Sequence, residues 1–317
     1  MESRKDSWTV APDDVSIRLD QFLVLKLPSE SRSQIQNWIR KGYLLVNGKN
    51  AKTGYKTRIN DQITVKVPVT PEDSLHPEKI PLDILFEDSD LAVINKQAGM
   101  VCHHGAGIRS GTLVNALLYH MGQLDTGDPS RPGIVHRLDK NTSGVIVVAK
   151  NTFTHRKLSL QFRNRSVEKE YLSLVYGHLS SEKGTIDMPI GRDPRDRKKI
   201  STRSRRSRSA VTHFFLEKRY PLFSLLRIRI ETGRTHQIRV HLAYKGHPIV
   251  GDTLYGGKRY LNLPAKLLSV VKGLQRPFLH SHRLTFHHPT TGKSMTVEAD
   301  LPEELRIFLE HISEPSD

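Results

Sequence analysis

The segment Gly133-Ile-Val-His136-Arg137-Leu138-Asp139-Lys140-Asn141-Thr142-Ser143-Gly144 runs directly into Val145-Ile-Val-Val148. Short apolar residues enter a dense polar turn, and the turn leaves into a second apolar run whose β-branched residues favour a buried strand. Strand–turn–strand here exposes one carboxylate, Asp139, among the cations Arg137 and Lys140. Two readings fit this pattern: a turn carboxylate tied to a nearby arginine, or an acidic reaction centre.

Working outward, residues 82–86, 91–94, 171–175 and 225–230 also favour strands, whereas 113–120, 154–163 and 237–244 carry helical spacing. The last strand alternates apolar residues with Arg227 and Arg229, which predicts one buried and one basic face. Strands and helices do not alternate regularly, so the fold class expected is α+β, with a mixed, mainly antiparallel sheet. Upstream, Leu19, Phe22 and Leu23, then Ile35, Trp38 and Ile39, mark two short helices, and Asn47-Gly48 is a hairpin turn pair. Four prolines between Pro68 and Pro81 mark a boundary. The expected organisation is a flexible N-terminus (1–14), a small N-terminal domain (15–69), a linker (70–80), a large domain (81–312) and a tail (313–317).

Among the 317 residues, 49 Lys and Arg face 33 Asp and Glu, a formal net charge of +16. Such a surplus implies an anionic partner, nucleic acid first and a membrane surface second. Residues 192–208 hold nine Lys or Arg against two Asp, nearly half of the surplus, with one large apolar residue, Ile200. That composition predicts a surface loop that orders on RNA. A single cysteine, Cys102, excludes an internal disulfide and a thiolate metal cluster. No apolar run approaches a membrane span, and the acidic start does not read as a targeting peptide, so a cytoplasmic protein is expected. The glycines at 105–111 and 251–257 miss dinucleotide- and phosphate-loop spacing, Gly-x-Ser-x-Gly is absent, and the adjacent pairs His103-His104 and His287-His288 cannot share a helical face. No metal and no cofactor are expected.

The pattern Arg18-Leu-Asp20-Gln-Phe22, Ser31-Arg-Ser33 and Gly42-Tyr-Leu-Leu-Val-Asn47-Gly48 resembles the S4 RNA-binding domain. His136-Arg-Leu-Asp139-Lys-Asn-Thr-Ser-Gly144 resembles the signature of the RluA family of pseudouridine synthases, most like its large-subunit ribosomal RNA D type. Asn95-Lys96-Gln97-Ala-Gly99, Glu168-Lys-Glu-Tyr171, Thr232-Gly-Arg234-Thr-His236-Gln237-Ile-Arg239-Val-His241 and Gly251-Asp-Thr-Leu-Tyr255-Gly256 follow in the family's order. Two family prolines are replaced, by Gln97 and His104, which predicts a looser turn there.

The resemblance implies an isomerase that breaks the uridine N1–C1′ bond, turns the base and rejoins it through C5, without metal or cofactor. It implies Asp139 as the catalytic carboxylate, Arg234 pairing with and orienting it, and Tyr171 stacking on the flipped base and assisting loss of the C5 proton. His136, Arg137 and Lys140 would meet RNA, the first two filling the gap left by the flipped base. The basic side chains Arg18, Arg32 and Arg40 on the S4-like unit, and Arg203, Arg205, Arg206 and Arg208 in the loop, would grip phosphates. The implied partner is large-subunit ribosomal RNA or a pre-ribosomal particle, met by a monomer away from membranes. The alternatives are a transfer-RNA or multi-RNA synthase and a non-catalytic RNA-binding assembly factor.

Overall fold

A computed structural model describes residues 3–27, 30, 32–68, 75–105, 108–122, 124, 126, 131–196, 199–204 and 206–313. The chain divides into two compact units, 1–75 and 76–317.

In the smaller unit, β1 (Ser3–Thr9) is followed by α1 (Leu19–Lys26), α2 (Arg32–Arg40), β2 (Leu44–Val46), β3 (Lys49–Asn50) and β4 (Gln62–Pro68). The strands form one sheet in the order β1-β4-β2-β3. The two predicted helical triads converge with Leu44, Ile63 and Val65 on one core. Asn47 and Gly48 both take positive φ, 51° and 76°, as a two-residue hairpin requires. The expectation of a flexible N-terminus fails. Ser3–Thr9 pairs antiparallel with β4 along its whole length, and Val10 is buried. Of the predicted linker, residues 70–74 lie outside the described residues. Glu78 belongs to the larger unit, since its backbone N–H donates to the Asn115 carbonyl at 2.9 Å.

The larger unit contains β5 (Asp83–Glu87), β6 (Leu91–Lys96), α3 (Leu113–Met121), β7 (Ser143–Ala149), α4 (Thr152–Arg163), β8 (Glu168–Tyr176) and β9 (Lys183–Asp187). There follow β10 (Gly191–Arg192), β11 (Ile200–Ser201), β12 (Val211–Tyr220), β13 (Phe223–Ile230), α5 (Gln237–Tyr244), α6 (Ala265–Gly273), β14 (Leu279–His287), β15 (Ser294–Glu298) and α7 (Glu303–Ser313). Nine strands make one sheet, β5-β6-β7-β14-β8-β13-β12-β9, with β15 on β14. Among the described residues its ladders are antiparallel except β7–β14, where His280 pairs with Ser143 and Ser281 with Gly144. The predicted mixed, mainly antiparallel sheet is therefore present. α7 runs through Ser313, so the tail expected from 313 is placed one residue too early, and 314–317 lie outside the described residues.

On β13 the expected alternation holds, with Leu226, Ile228 and Ile230 buried. The opposite face is not simply basic. Arg227 meets Glu170 and Glu217, Arg229 meets Glu168, and Arg283 meets Glu170 and Glu298, so cross-strand pairing neutralises it.

The parallel ladder depends on Gly144. Its φ is +111°, and a Cβ there would overlap the backbone carbonyl of Ser281 on β14. Only a glycine lets the polar turn feed β7 this close to β14. Gly144→Ala should lower the stability of the larger unit by about 3 kcal/mol, read from urea unfolding. An unchanged midpoint would show that the strands can part there at no cost.

Candidate active site

The polar turn between residues 133 and 144 is fixed from below. Leu138 is buried, and its backbone N–H donates to Cys102 Sγ at 3.4 Å. Lys96, at the end of β6, is 1% exposed and donates from Nζ to the carbonyls of Gln97 (2.8 Å), Met100 (2.9 Å) and Lys140 (3.3 Å). Burial pushes this ammonium down to about 8. The Lys140 carbonyl also accepts from Gly99 N–H at 2.9 Å. The turn expected to loosen without its prolines is thus pinned by a buried cation. From the other side, the buried Arg276 guanidinium donates to the carbonyls of Asn141 (3.2 Å) and Leu279 (3.3 Å) and to Glu304 of α7 (2.7 Å).

Held this way, Asp139 carries its carboxylate, 19% exposed, to within 3.6 Å of Arg239 Nη1 and 3.9 Å of His236 Nε2. Arg239 lies in the first turn of α5 and is itself locked. Its Nε and Nη2 donate to both oxygens of buried Asp252, at 2.7 and 2.9 Å, and its guanidinium lies 5.0 Å from the Tyr255 ring centre. Burial opposes its charge, but the bonds and charge of Asp252, with Asp139 behind them, raise Arg239 above the ordinary guanidinium value. His236 precedes α5 in the left-handed region, at φ 56°, a conformation rare outside glycine. Its Nδ1 is 2.8 Å from Tyr255 Oη, which accepts from Ile200 N–H at 2.9 Å. Burial lowers His236 and pushes the Tyr255 phenol up to about 12.

Two cavities meet at this carboxylate. The larger, about 410 Å³, is bordered by Arg137, Lys140, Arg276 and the 103–105 segment. It falls in the size range of small-molecule sites. The smaller, about 60 Å³, reaches Tyr171, Ile230 and Arg234. Asp139, Arg137, His236 and Arg239 line both. Tyr171 is buried on β8, and burial raises its phenol well above the ordinary tyrosine value, with Asp139 contributing in the same direction. A phenol held protonated in this way is a poor base.

Residues 90–244 match the family model for RNA pseudouridylate synthase, and 17–63 match the S4 domain. The chain is 41% identical over 305 residues to an "Uncharacterized RNA pseudouridine synthase YlyB" of Bacillus subtilis (strain 168), covering 96% of this chain and 97% of the relative. It is 38% identical over 305 residues to "Ribosomal large subunit pseudouridine synthase D" of Escherichia coli (strain K12), covering 95% and 92%. The chain belongs to the RluA family of RNA pseudouridine synthases. In structure it resembles "Human RNA Pseudouridylate Synthase Domain Containing 4", at 27% identity and a TM-score of 0.57 over 73% of this chain and 92% of that one.

Within this synthase three site expectations change. Arg234 does not pair with Asp139: its Nε donates to the Ser209 carbonyl at 3.3 Å in the connection before α5, and Arg239 takes that place. The sequence offered two arginines five residues apart. Choosing between them required the start of α5, which turns Arg239 inward. His136 lines neither cavity. Its ring stacks on Phe162 of α4 at 4.4 Å, and Nε2 accepts the Val147 N–H at 3.0 Å. The 192–208 segment is not a bare loop, since β10 and β11 pair antiparallel across it, Gly191 with Ser201 and Arg192 with Ile200. Its Arg203, Arg206 and Arg208 are exposed, and Arg205 lies outside the described residues. Arg137 and Lys140 are exposed at the turn.

On the S4 domain, Arg18 and Arg32 each meet the fully buried Asp20 carboxylate, at 3.1 and 3.0 Å. Burial alone would raise Asp20. Bonds from Arg18, Gln36 and Arg32 instead hold it far below the usual carboxylate range. Both arginines therefore have a structural duty besides any RNA contact. Arg40 is exposed in the last turn of α2.

No helix among the described residues is long and apolar enough to cross a membrane.

Two enclosed histidines, His280 buried and His136 half-buried, set an acid limit. Burial pushes His136 down to about 3, and His280, held by Ser143 Oγ and the Ala299 carbonyl, down to about 4. An unfolded chain takes up those protons near 6.5. Between these values the unfolded state binds more protons, so stability falls as pH drops below about 6.5 and levels off only near 3–4. Each histidine should cost about 2 kcal/mol at pH 5 relative to pH 7. His136→Gln, which keeps an acceptor for Val147, should flatten that loss in urea midpoints measured across the range. An identical pH profile in the variant would refute the assignment.

Proposed function

We propose that this synthase isomerises specific uridines of structured large-subunit ribosomal RNA, with Asp139 as the carboxylate that acts on the flipped-out nucleotide. The observation that supports it is the placement of Asp139 where both cavities meet, beside an arginine locked by a second carboxylate. The ribosomal preference draws on relatives 38–42% identical over nearly the whole chain that are described as large-subunit enzymes.

In this reading Asp139 attacks C1′, or assists departure of the base from it, as the N1–C1′ bond breaks. The detached uracil turns in the site, a C5–C1′ bond forms, the C5 proton is lost and N1 gains a proton. Arg239, fixed by Asp252 and Tyr255, keeps the carboxylate aimed and compensates its charge. Tyr171 stacks on the base and supplies shape. Arg137, exposed at the mouth, fills the gap left in the RNA, a task for which His136 is unavailable. Lys140 meets phosphate at the same mouth. Arg18, Arg32 and Arg40 of the S4 domain, together with the arginines around 203–208, supply salt-dependent affinity.

The test uses a large-subunit ribosomal RNA transcript carrying 5-tritiated uridine. Asp139→Asn should release no tritium while RNA affinity stays within about threefold of wild type. Persisting release would remove Asp139 from the chemistry. Arg239→Lys, which forfeits the planar fork, should lower kcat by about 100-fold, and Arg234→Ala by much less. The reverse order would restore Arg234 to the place first expected of it. Carbodiimide mapping of the modified positions tests the substrate separately, since modification confined to transfer RNA would overturn the ribosomal assignment and leave the chemistry standing.

A second measurement addresses the basic segment. Neutralising Arg203, Arg205, Arg206 and Arg208 should flatten the log–log salt dependence of RNA affinity by about 0.7 for each single-strand phosphate that no longer meets an arginine. An unaltered slope would mean that the segment does not touch RNA.

A further inference from the structure

Between residues 140 and 167 the chain carries six Lys or Arg and no Asp or Glu. Helix α4 presents part of that charge on one face. Phe153, Arg156, Lys157, Leu160 and Arg163 recur at three- and four-residue spacing and are all exposed, while Thr154 and Leu158 on the opposite side are buried. Phe153 is 52% and Leu160 46% exposed, an uncommon place for large apolar side chains on a helix this charged. Lys157 Nζ lies 5.5 Å from the Phe153 ring centre. Arg156, Lys157 and Arg163 form no ion pair with any described residue, in contrast to the arginines of the open sheet face.

The helix also borders the reaction centre. Phe162, on its inner side, stacks on His136 three residues before Asp139. Lys169 Nζ, two residues from Tyr171 and on the same face of β8, lies 6.0 Å from the Phe162 ring. Just past the helix, Arg165 reaches Glu231 at 3.8 Å, at the head of the connection that carries Arg234. The helix is thereby joined, through Phe162 and His136, to the turn that carries Asp139.

We propose that the outward face of α4 is a further RNA-binding surface of the synthase, taking a single-stranded segment that flanks the target uridine. Arg156, Lys157 and Arg163 meet its phosphates, and one base stacks on Phe153 and is bordered by Leu160. An aromatic ring set among unpaired cations is the composition of a single-strand platform, where phosphate contacts and base stacking act together. A protein partner or a second copy would have to bring a dense acidic surface to the same face, and the two kinds of exposed side chain match RNA without that requirement. The inference rests on the chain acting on RNA, and it is independent of which uridine is modified.

The probe is a fluorescein-labelled hairpin RNA with a uridine-containing single-stranded flank, titrated with full-length protein between about 50 and 200 mM KCl. Replacing Arg156, Lys157 and Arg163 together by Gln, which keeps helix propensity, should lower the log–log salt slope by about 2. Phe153→Ala should weaken binding at least fivefold with the slope unchanged, and the same hairpin lacking its flank should bind wild type and variants alike. Thermal melts equal to wild type establish that both variants are folded. Should either variant melt early, a photoreactive benzoylphenylalanine at position 153 of the otherwise intact chain replaces the titration, with crosslinking to the flank expected. Unchanged slope and affinity, or crosslinks to protein alone, would overturn the proposal. So would variants that lose a wild-type dimer while binding RNA normally, which would assign the face to a second copy. Because binding is read without turnover, failure of the ribosomal assignment would not affect the result.

Discussion

The Arg239 guanidinium faces two carboxylates, and the geometry of the site follows from how it divides itself between them. Two of its N–H groups are committed to Asp252 in a bidentate fork at 2.7 and 2.9 Å, while Nη1 lies 3.6 Å from Asp139. The tight pair is the anchor, and the looser contact leaves Asp139 short of a second fork. A buried bidentate pair fixes both position and plane, and removing one partner from such a pair costs about 3–5 kcal/mol. Asp139 is therefore left oriented without being saturated. A carboxylate that must act on a substrate needs that condition, because a second fork on Asp139 would have to be broken before it could reach a sugar.

Everything under the turn serves the same end from the other side. Lys96 gathers three backbone carbonyls and Arg276 two more, so the polypeptide around Asp139 is held through its main-chain carbonyls by the Lys96 side chain at the end of β6 and by Arg276, just before β14, which Glu304 of α7 anchors in turn. Carbonyls clustered around a buried cation satisfy their hydrogen-bonding needs where no ladder partner exists. The arrangement also explains how Gln97 can replace a proline. The turn takes its rigidity from the Lys96 ammonium, which uses the Gln97 carbonyl and is indifferent to its side chain.

Much of this was legible in the sequence, and the exceptions have a common cause. The two helices of the S4 domain, the Asn47-Gly48 hairpin, the buried run at 145–148 and the alternation on β13 are local signals, set by periodicity and turn chemistry. Asp139 stood out because its turn is short and densely polar. Arg234 and Arg239 were indistinguishable because their difference depends on where α5 begins. His236, in the left-handed region, provides that boundary, and no propensity marks a histidine for it. His136 misled for a similar reason. A histidine beside an arginine in a polar turn reads as surface, and only the packing of Phe162 and the Val147 N–H against its ring makes it an interior acceptor. The strand at 3–9 was missed because its sequence is polar and its partner, β4, lies more than fifty residues away.

The charge surplus can now be read by what opposes it. Arg227, Arg229 and Arg283 stand on an open sheet face, but Glu168, Glu170, Glu217 and Glu298 answer them across the strands. Arg18 and Arg32 are partly answered by Asp20. Local pairing of this kind shortens the reach of each charge, and what remains at a distance is the unmatched part. On the larger unit that part is concentrated in two places with few acids nearby, the 192–208 segment and the outward face of α4. The first touches the reaction centre through Ile200 and Tyr255, and the second through Phe162 and His136. Both concentrations of charge thus connect to the turn that holds Asp139, whereas the cations of the open sheet face are answered locally by Glu168, Glu170, Glu217 and Glu298.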